Sequence, residues 1–233
     1  MENKTYNFKV SNNHILVNID DEYYVIDTGS PYSFFYNDEK ITIDGKEYTS
    51  NRQLASRQEV EKLVGAEING FIGFDIISKT GITVDFLENT IMFDVKQGHI
   101  CYFLNSDEGY CCTKDCVING KQLERTIIDS GACISYVNRK FLDLSKKTGE
   151  TYIDYSPIIG KISGEYYEVA IDKVTLGSGD YHHVIKVGKM TSDMERIGVD
   201  AFIGLLDIIK DEEKLAPNKT VSIDIKKNIL YIL

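Results

Sequence analysis

The apolar positions of this chain fall in short runs, cut at close intervals by Gly, Asn, Asp and Ser. Short apolar runs bounded by turn residues predict β-strands, and alternation within them predicts strands buried on one face. Two runs carry nearly the same text 102 positions apart: Tyr-Val-Ile-Asp-Thr-Gly-Ser at 24–30 and Thr-Ile-Ile-Asp-Ser-Gly-Ala at 126–132. Each reads as a buried strand ending in Asp, followed by a tight loop of a hydroxyl residue and Gly. A carboxylate at the end of a buried strand is expensive to desolvate alone. Its presence twice, in one setting, predicts that the two carboxylates are brought together.

The repeat extends past these loops. The fourth residue after each Gly is Ser (Ser33, Ser135), and two further on stands an apolar residue (Phe35, Val137). Phe-Ile-Gly-Phe-Asp-Ile-Ile at 71–77 returns at 202–209 as Phe-Ile-Gly-Leu-Leu-Asp-Ile-Ile, with one residue inserted. Residues 84–93 align without gaps to 223–232 and predict a strand that closes each half. Upstream of the first motif a hairpin is expected over 17–26, turning at Asp20 and Asp21. Upstream of the second, one is expected over 117–128, turning at Asn119 and Gly120. Helix is sparse, with candidates at 50–64 and 205–215 and a short turn after Asn138. The stretch 98–114 reads as a connection with a surface loop at 105–109. The organisation predicted is a lobe over 1–98, a connection over 99–115 and a second lobe over 116–233. Strands near 7–10 and 229–232 are expected to help tie the lobes together.

Composition fits this picture. Fifteen Tyr and ten Phe with only three Pro and no Trp suit pleated, half-buried strands. No apolar run approaches the roughly 20 residues that cross a bilayer as a helix. The N-terminal residues lack a signal-peptide core, so a cytoplasmic or already processed chain is expected, with no membrane partner. A net charge of -10 argues against nucleic acid as a partner, because phosphate contacts need basic surface.

With the motifs in place, the chain resembles the pepsin and retropepsin superfamily of aspartic peptidases, most closely its bacterial retropepsin-like members. Apolar-apolar-Asp-Thr/Ser-Gly-Ala/Ser followed by apolar-apolar-Gly and a closing strand is the pattern of that family, and both halves carry it. The resemblance implies an all-β, bilobal acid-protease fold: two pseudo-symmetric retropepsin-like β-barrel lobes with a few short helices. It makes Asp27 and Asp129 the catalytic pair. Thr28, Gly29, Ser30, Ser130 and Gly131 become the residues that support the dyad. Two carboxylates held together cannot both ionise easily, so they share a proton and activate a water for attack on a peptide carbonyl. The implied function is aspartic endopeptidase, acting on a peptide or protein as a monomer, without metal or other cofactor. The alternative is a catalytically silent peptide-binding or regulatory module that keeps the fold.

The two copies differ. Asp27 and Gly73 are 46 positions apart, Asp129 and Gly204 75. The longer second spacing leaves room for a hairpin at 158–167, where the family carries a flap that closes over substrate. By that resemblance Gly164, Tyr166 and Tyr167 are substrate-binding candidates, although the two tyrosines would face opposite ways along a strand. The first half has room only for a stub near 43–46. Ser30 against Ala132 predicts Asp27 to be the more readily ionised carboxylate, because a hydroxyl there can donate to it. Cys101, Cys111, Cys112, Cys116 and Cys133 match no metal-ligand spacing, and His14, His99, His182 and His183 add none. Free thiols are expected.

Overall fold

The computed structural model describes residues 4–51, 56–107, 109–156, 160–173, 181–209 and 220–232. These residues are mostly β-strand, in two sheet-rich lobes with few and short helices. In the first half Thr5–Ser11, His14–Ile19 and Glu22–Asp27 form an antiparallel meander. Gly70–Gly73 then lies parallel to the last of them, with Asp27 opposite Gly73. The second half repeats the plan. His99–Asp107 and Tyr110–Thr113 form a hairpin, Tyr110–Thr113 pairs antiparallel with Thr126–Asp129, and Ala201–Gly204 lies parallel to that strand, with Asp129 opposite Gly204.

The halves meet in one antiparallel sheet. Its order is Thr5–Ser11, Thr90–Met92, Ile82–Asp85, Thr220–Asp224, Ile229–Ile232 and His99–Asp107. The crossing between halves is made by Ile82–Asp85 against Thr220–Asp224, where the buried hydroxyls of Thr83 and Ser222 lie 2.7 Å apart. The terminal strands expected to tie the lobes flank this junction within the same sheet. Beneath it runs a continuous apolar core from Tyr6 and Ile15 of the first half to Ile203 and Leu230 of the second. Among the described residues no helix is long and apolar enough to cross a membrane.

Several expectations need correction. The polar stretch 105–109 is not a surface loop: residues 99–107 and 110–113 are the two strands of a hairpin, turning through Gly109 at φ +83°. Asn105, Ser106 and Asp107 pair through their backbone with Cys112, Cys111 and Tyr110, and this pairing overrides their loop-forming composition. The strand closing each half is a hairpin, Ile82–Asp85 with Thr90–Met92 and Thr220–Asp224 with Ile229–Ile232. Left-handed Asn89 and Asn228 turn these chains, and Asp85 and Asp224 accept amide hydrogen bonds across the turns. The hairpin over 117–128 is shorter than expected, Cys116–Ile118 with Lys121–Gln122, because the strand to Asp129 pairs instead with Tyr110–Thr113. The β-barrel lobes are not formed: among the described residues the strand ladder of each half stays open, ending at Phe34–Phe35 in one and at Lys147–Ser156 in the other.

The turns at Asp20 and Asp21 and at Asn119 and Gly120 form as expected, with both central residues at positive φ. Of the helix expected over 50–64, Arg57–Val64 is helical; 52–55 lie outside the described residues. The helix stops at Gly65, whose φ of +72° suits glycine, and it buries Val60 and Val64 against Leu16, Val25 and Phe71. The second candidate is helical over Leu205–Ile209, the rest of it lying outside the described residues, and a single 3-10 turn, Arg139–Phe141, follows Asn138.

Candidate active site

Both Asp residues stand at the ends of core strands whose parallel neighbours end in Gly73 and Gly204. In each loop the carboxylate turns back on its own backbone. Asp27 Oδ1 accepts from the amides of Gly29 (3.0 Å) and Ser30 (2.8 Å), and Asp129 Oδ1 from those of Gly131 (2.8 Å) and Ala132 (3.1 Å). Each carboxyl is thereby fixed in orientation, and the two are hydrogen-bonded to one another.

Crossed hydroxyls hold the loops together from below. The Thr28 hydroxyl donates to the Ile128 carbonyl (2.7 Å) and accepts from the Ser130 amide (2.9 Å). The Ser130 hydroxyl donates to the Ile26 carbonyl (2.8 Å) and accepts from the Thr28 amide (3.0 Å). Both side chains are buried, so each bond replaces water that cannot reach the site. The glycines permit this approach. A Cβ on Gly29 would stand 2.1 Å from Asp129 Oδ2, and one on Gly131 2.5 Å from Asp27 Cγ.

A second matched pair braces each loop. The Ser33 hydroxyl donates to Asp75 Oδ1 (2.6 Å) and accepts from the Gly73 amide (2.8 Å). The Ser135 hydroxyl donates to Asp207 Oδ2 (2.6 Å) and accepts from the Gly204 amide (2.9 Å). The one-residue insertion before Asp207 is absorbed within the first helical turn, and the link survives.

Electrostatically the site is a shared-proton pair. Burial, then the charge of Asp129, pushes Asp27 well above the usual carboxylate range. Burial raises Asp129 too, opposed by its amide bonds and by the hydrogen bond from Asp27. Ser30 does not act as expected. Its hydroxyl donates to the Tyr32 carbonyl (2.8 Å) instead of to the Asp27 carboxyl. Asp27, 7 % exposed, is the more deeply buried member, and its carboxyl is the one pushed well above the usual range.

The dyad opens into a pocket. Asp27, Gly29, Ser30, Asp129 and Gly131 line it; Thr28 and Ser130 lie beneath. The hairpin expected over 158–167 is not formed there: residues 160–167 belong to one strand, Gly160–Lys173, which pairs antiparallel with Lys147–Ser156, while 157–159 lie outside the described residues. Gly164, Tyr166 and Tyr167 do not line the pocket. Tyr167 faces into the common core, Tyr166 packs on the Tyr152 ring at 5.0 Å, and Gly164 leaves room for the Tyr152 hydroxyl. The hairpin reaches the pocket through Asp154, Ser156 and Ile162 instead. In the first half the stub is a separate hairpin, Lys40–Ile43 with Lys46–Thr49, away from the pocket.

Among the lining residues that escaped the sequence reading are His14, Tyr110, Tyr136 and Asp154. His14 and Tyr110 begin corresponding strands of the two halves, and Tyr136 occupies the repeat position of Phe34. A hydroxyl where the other copy has only a ring is the signal that comparison of the copies offered. Tyr136 Oη donates to Asp154 Oδ2 (2.7 Å), and the Cys133 thiol to Asp154 Oδ1 (3.3 Å). Burial and Asp154 push the Cys133 thiol upward, and burial does the same to Cys111 and Cys116, so these are protonated thiols. Among the described residues no cluster of His, Cys, Asp and Glu suits a metal ion. No protein-family model matches the chain, and no curated protein matches it.

Proposed function

We propose that the two sheet-rich lobes form an acid-protease fold and that the chain is an aspartic endopeptidase. The observation that carries this reading is the contact of two buried carboxyls, each oriented by two amides of its own loop and joined beneath by the crossed Thr28 and Ser130 hydroxyls. A protonated carboxyl beside an ionised one supplies an acid and a base at one point.

Ionised Asp129 takes a proton from a water as its oxygen attacks the peptide carbonyl carbon. Protonated Asp27 gives its proton to the carbonyl oxygen, producing a neutral tetrahedral diol. Asp129 then passes its proton to the amide nitrogen while Asp27 recovers one from a diol hydroxyl. The C–N bond breaks to leave an acid and an amine, and the dyad regains its starting protonation. The rigid backbone bonds to both Oδ1 atoms mean that little reorganisation accompanies this charge movement.

Cleavage of a mixed peptide library tests the reading, with Asp27→Asn and Asp129→Asn beside the parent. Each variant is expected to lose at least about 10³-fold in kcat, since each removes one of the two proton-transfer groups. A parent that cleaves nothing between about pH 3 and 8 would favour the silent peptide-binding module.

A further inference from the structure

We propose that Asp154 is a positioning residue for the dyad: its carboxylate clasps the hairpin of Lys147–Ser156 and Gly160–Lys173 to the segment that follows Asp129. The clasp fixes the wall against which the peptide is held, and the proposal rests on the peptidase reading above for its kinetic consequence. The Cys133 thiol donates to Asp154 Oδ1 (3.3 Å) and Tyr136 Oη to Asp154 Oδ2 (2.7 Å). These donors stand four and seven residues beyond Asp129. Asp154 belongs to an end strand that, among the described residues, pairs with Gly160–Lys173 alone. Side chains therefore make its link to the Asp129 segment. Asp154 pairs in register with Ile162, and both line the pocket, as does Ser156 two residues on. Holding Asp154 holds all three.

The repeat shows that the donors do not serve packing. Tyr136 lies opposite Phe202 across its ladder, as Phe34 lies opposite Phe71 in the first half. Phe34 is fully buried there with no hydroxyl at all. The counterpart of Cys133 is Pro31, whose side chain has no donor. Both donors thus occur in the half whose hairpin receives them. They are missing from the half whose stub hairpin lies away from the pocket. Tyr136 is itself buried, and a buried hydroxyl costs free energy unless it is paired. A bond to a carboxylate is about twice as strong as a neutral one, which suits a clasp.

The clasp also places a third carboxylate at the pocket of the dyad. Burial is the largest cause raising Asp129, and the charge of Asp154 acts in the same direction. The other titratable side chains around the dyad are His14, Tyr110, Tyr136, Cys111 and Cys133. Burial keeps His14 neutral and holds the protons of Tyr136 and of both thiols.

The test combines pH profiles of kcat/KM on a peptide that the parent cleaves with hydrogen exchange of the hairpin. Asp154→Ala is expected to lower kcat/KM about tenfold or more and to speed exchange in 147–156 about tenfold or more. Tyr136→Phe keeps the carboxylate and should lose about threefold or more, with the acid limb of the profile in place. Asp154→Asn removes the charge and should move that limb to lower pH, which a loss of packing alone would not do. The double variant Asp154→Ala with Tyr136→Phe should lose no more than Asp154→Ala, because their bond is already gone. Parent-like kcat/KM in Asp154→Ala overturns the proposal, as do additive losses in the double variant or an unmoved limb in Asp154→Asn. Failure of the peptidase reading looks different. If the parent cleaves no peptide, exchange decides: faster exchange in Asp154→Ala keeps the clasp, and an unchanged hairpin removes it.

Discussion

In the first half, helix Arg57–Val64 seals the outer face of the strands that deliver Asp27, packing Val60 and Val64 on Leu16, Val25 and Phe71. In the second, the corresponding face at Ile127 and Phe202 is covered by Met190, Met194 and, from the long hairpin, Tyr152 and Ile162. The consequence appears in the pocket: four of its fifteen lining residues, His14, Asp27, Gly29 and Ser30, come from the first half. The second half therefore builds the walls. The loops cannot diverge in the same way, because each hydroxyl serves the backbone of the other loop. Atoms that bond across the two halves stay matched, as do the serine braces within each half, and the asymmetry lies in what covers the outer faces.

The largest effects should come from breaking the match at its closest approach. Gly29→Ala and Gly131→Ala each drive a Cβ into the opposite carboxyl. Either is expected to lower kcat/KM by about 10²-fold or more and stability by about 1–3 kcal/mol, read by urea unfolding. An alanine variant as active as the parent would mean that the loops separate without penalty.

Next come the crossed hydroxyls. Thr28→Val and Ser130→Ala each orphan a buried amide and a buried carbonyl, and each should destabilise by about 2–4 kcal/mol. Because the two residues serve one interlocked set, the double variant should lose less than the sum of the two. Strict additivity in thermal unfolding would show the two halves of the grip to be independent.

The smallest effect separates the two carboxyls by pH. A carboxyl whose pKa is raised on folding binds more protons in the native state than in the unfolded chain. Stability is therefore lost as pH rises from the unfolded value, 3.8, towards the raised folded one. Asp27→Asn removes this loss. Its Tm should match that of the parent near about pH 3 and exceed it near about pH 7, and by more than Asp129→Asn does. A larger gain for Asp129→Asn would move the proton to the other member.

The loops were legible in the sequence because their requirements are local: a strand ending in Asp, a hydroxyl, a glycine with no room for Cβ. The hydroxyl four residues after each glycine was legible as a repeat, although its partners Asp75 and Asp207 needed the fold. The hairpin at 99–113 was hidden because Asn105, Ser106 and Asp107 are loop-formers by composition, and their backbone pairing to Tyr110, Cys111 and Cys112 leaves no mark on residue type. Likewise Asp154 and His14 are single polar residues on alternating strands, and only the closing of two halves places them in one pocket. Tyr166 and Tyr167 were candidates only through the flap that the resembled family carries there, and packing claims both.

The sheet that joins the halves has a temporal side. Its central crossing waits for Thr220–Asp224, and the strand from 99 waits for Ile229–Ile232. Both Asp loops precede these residues in the chain. During synthesis both Asp loops and the hydroxyls that cross between them are therefore complete before the strands that join the halves in this sheet are made.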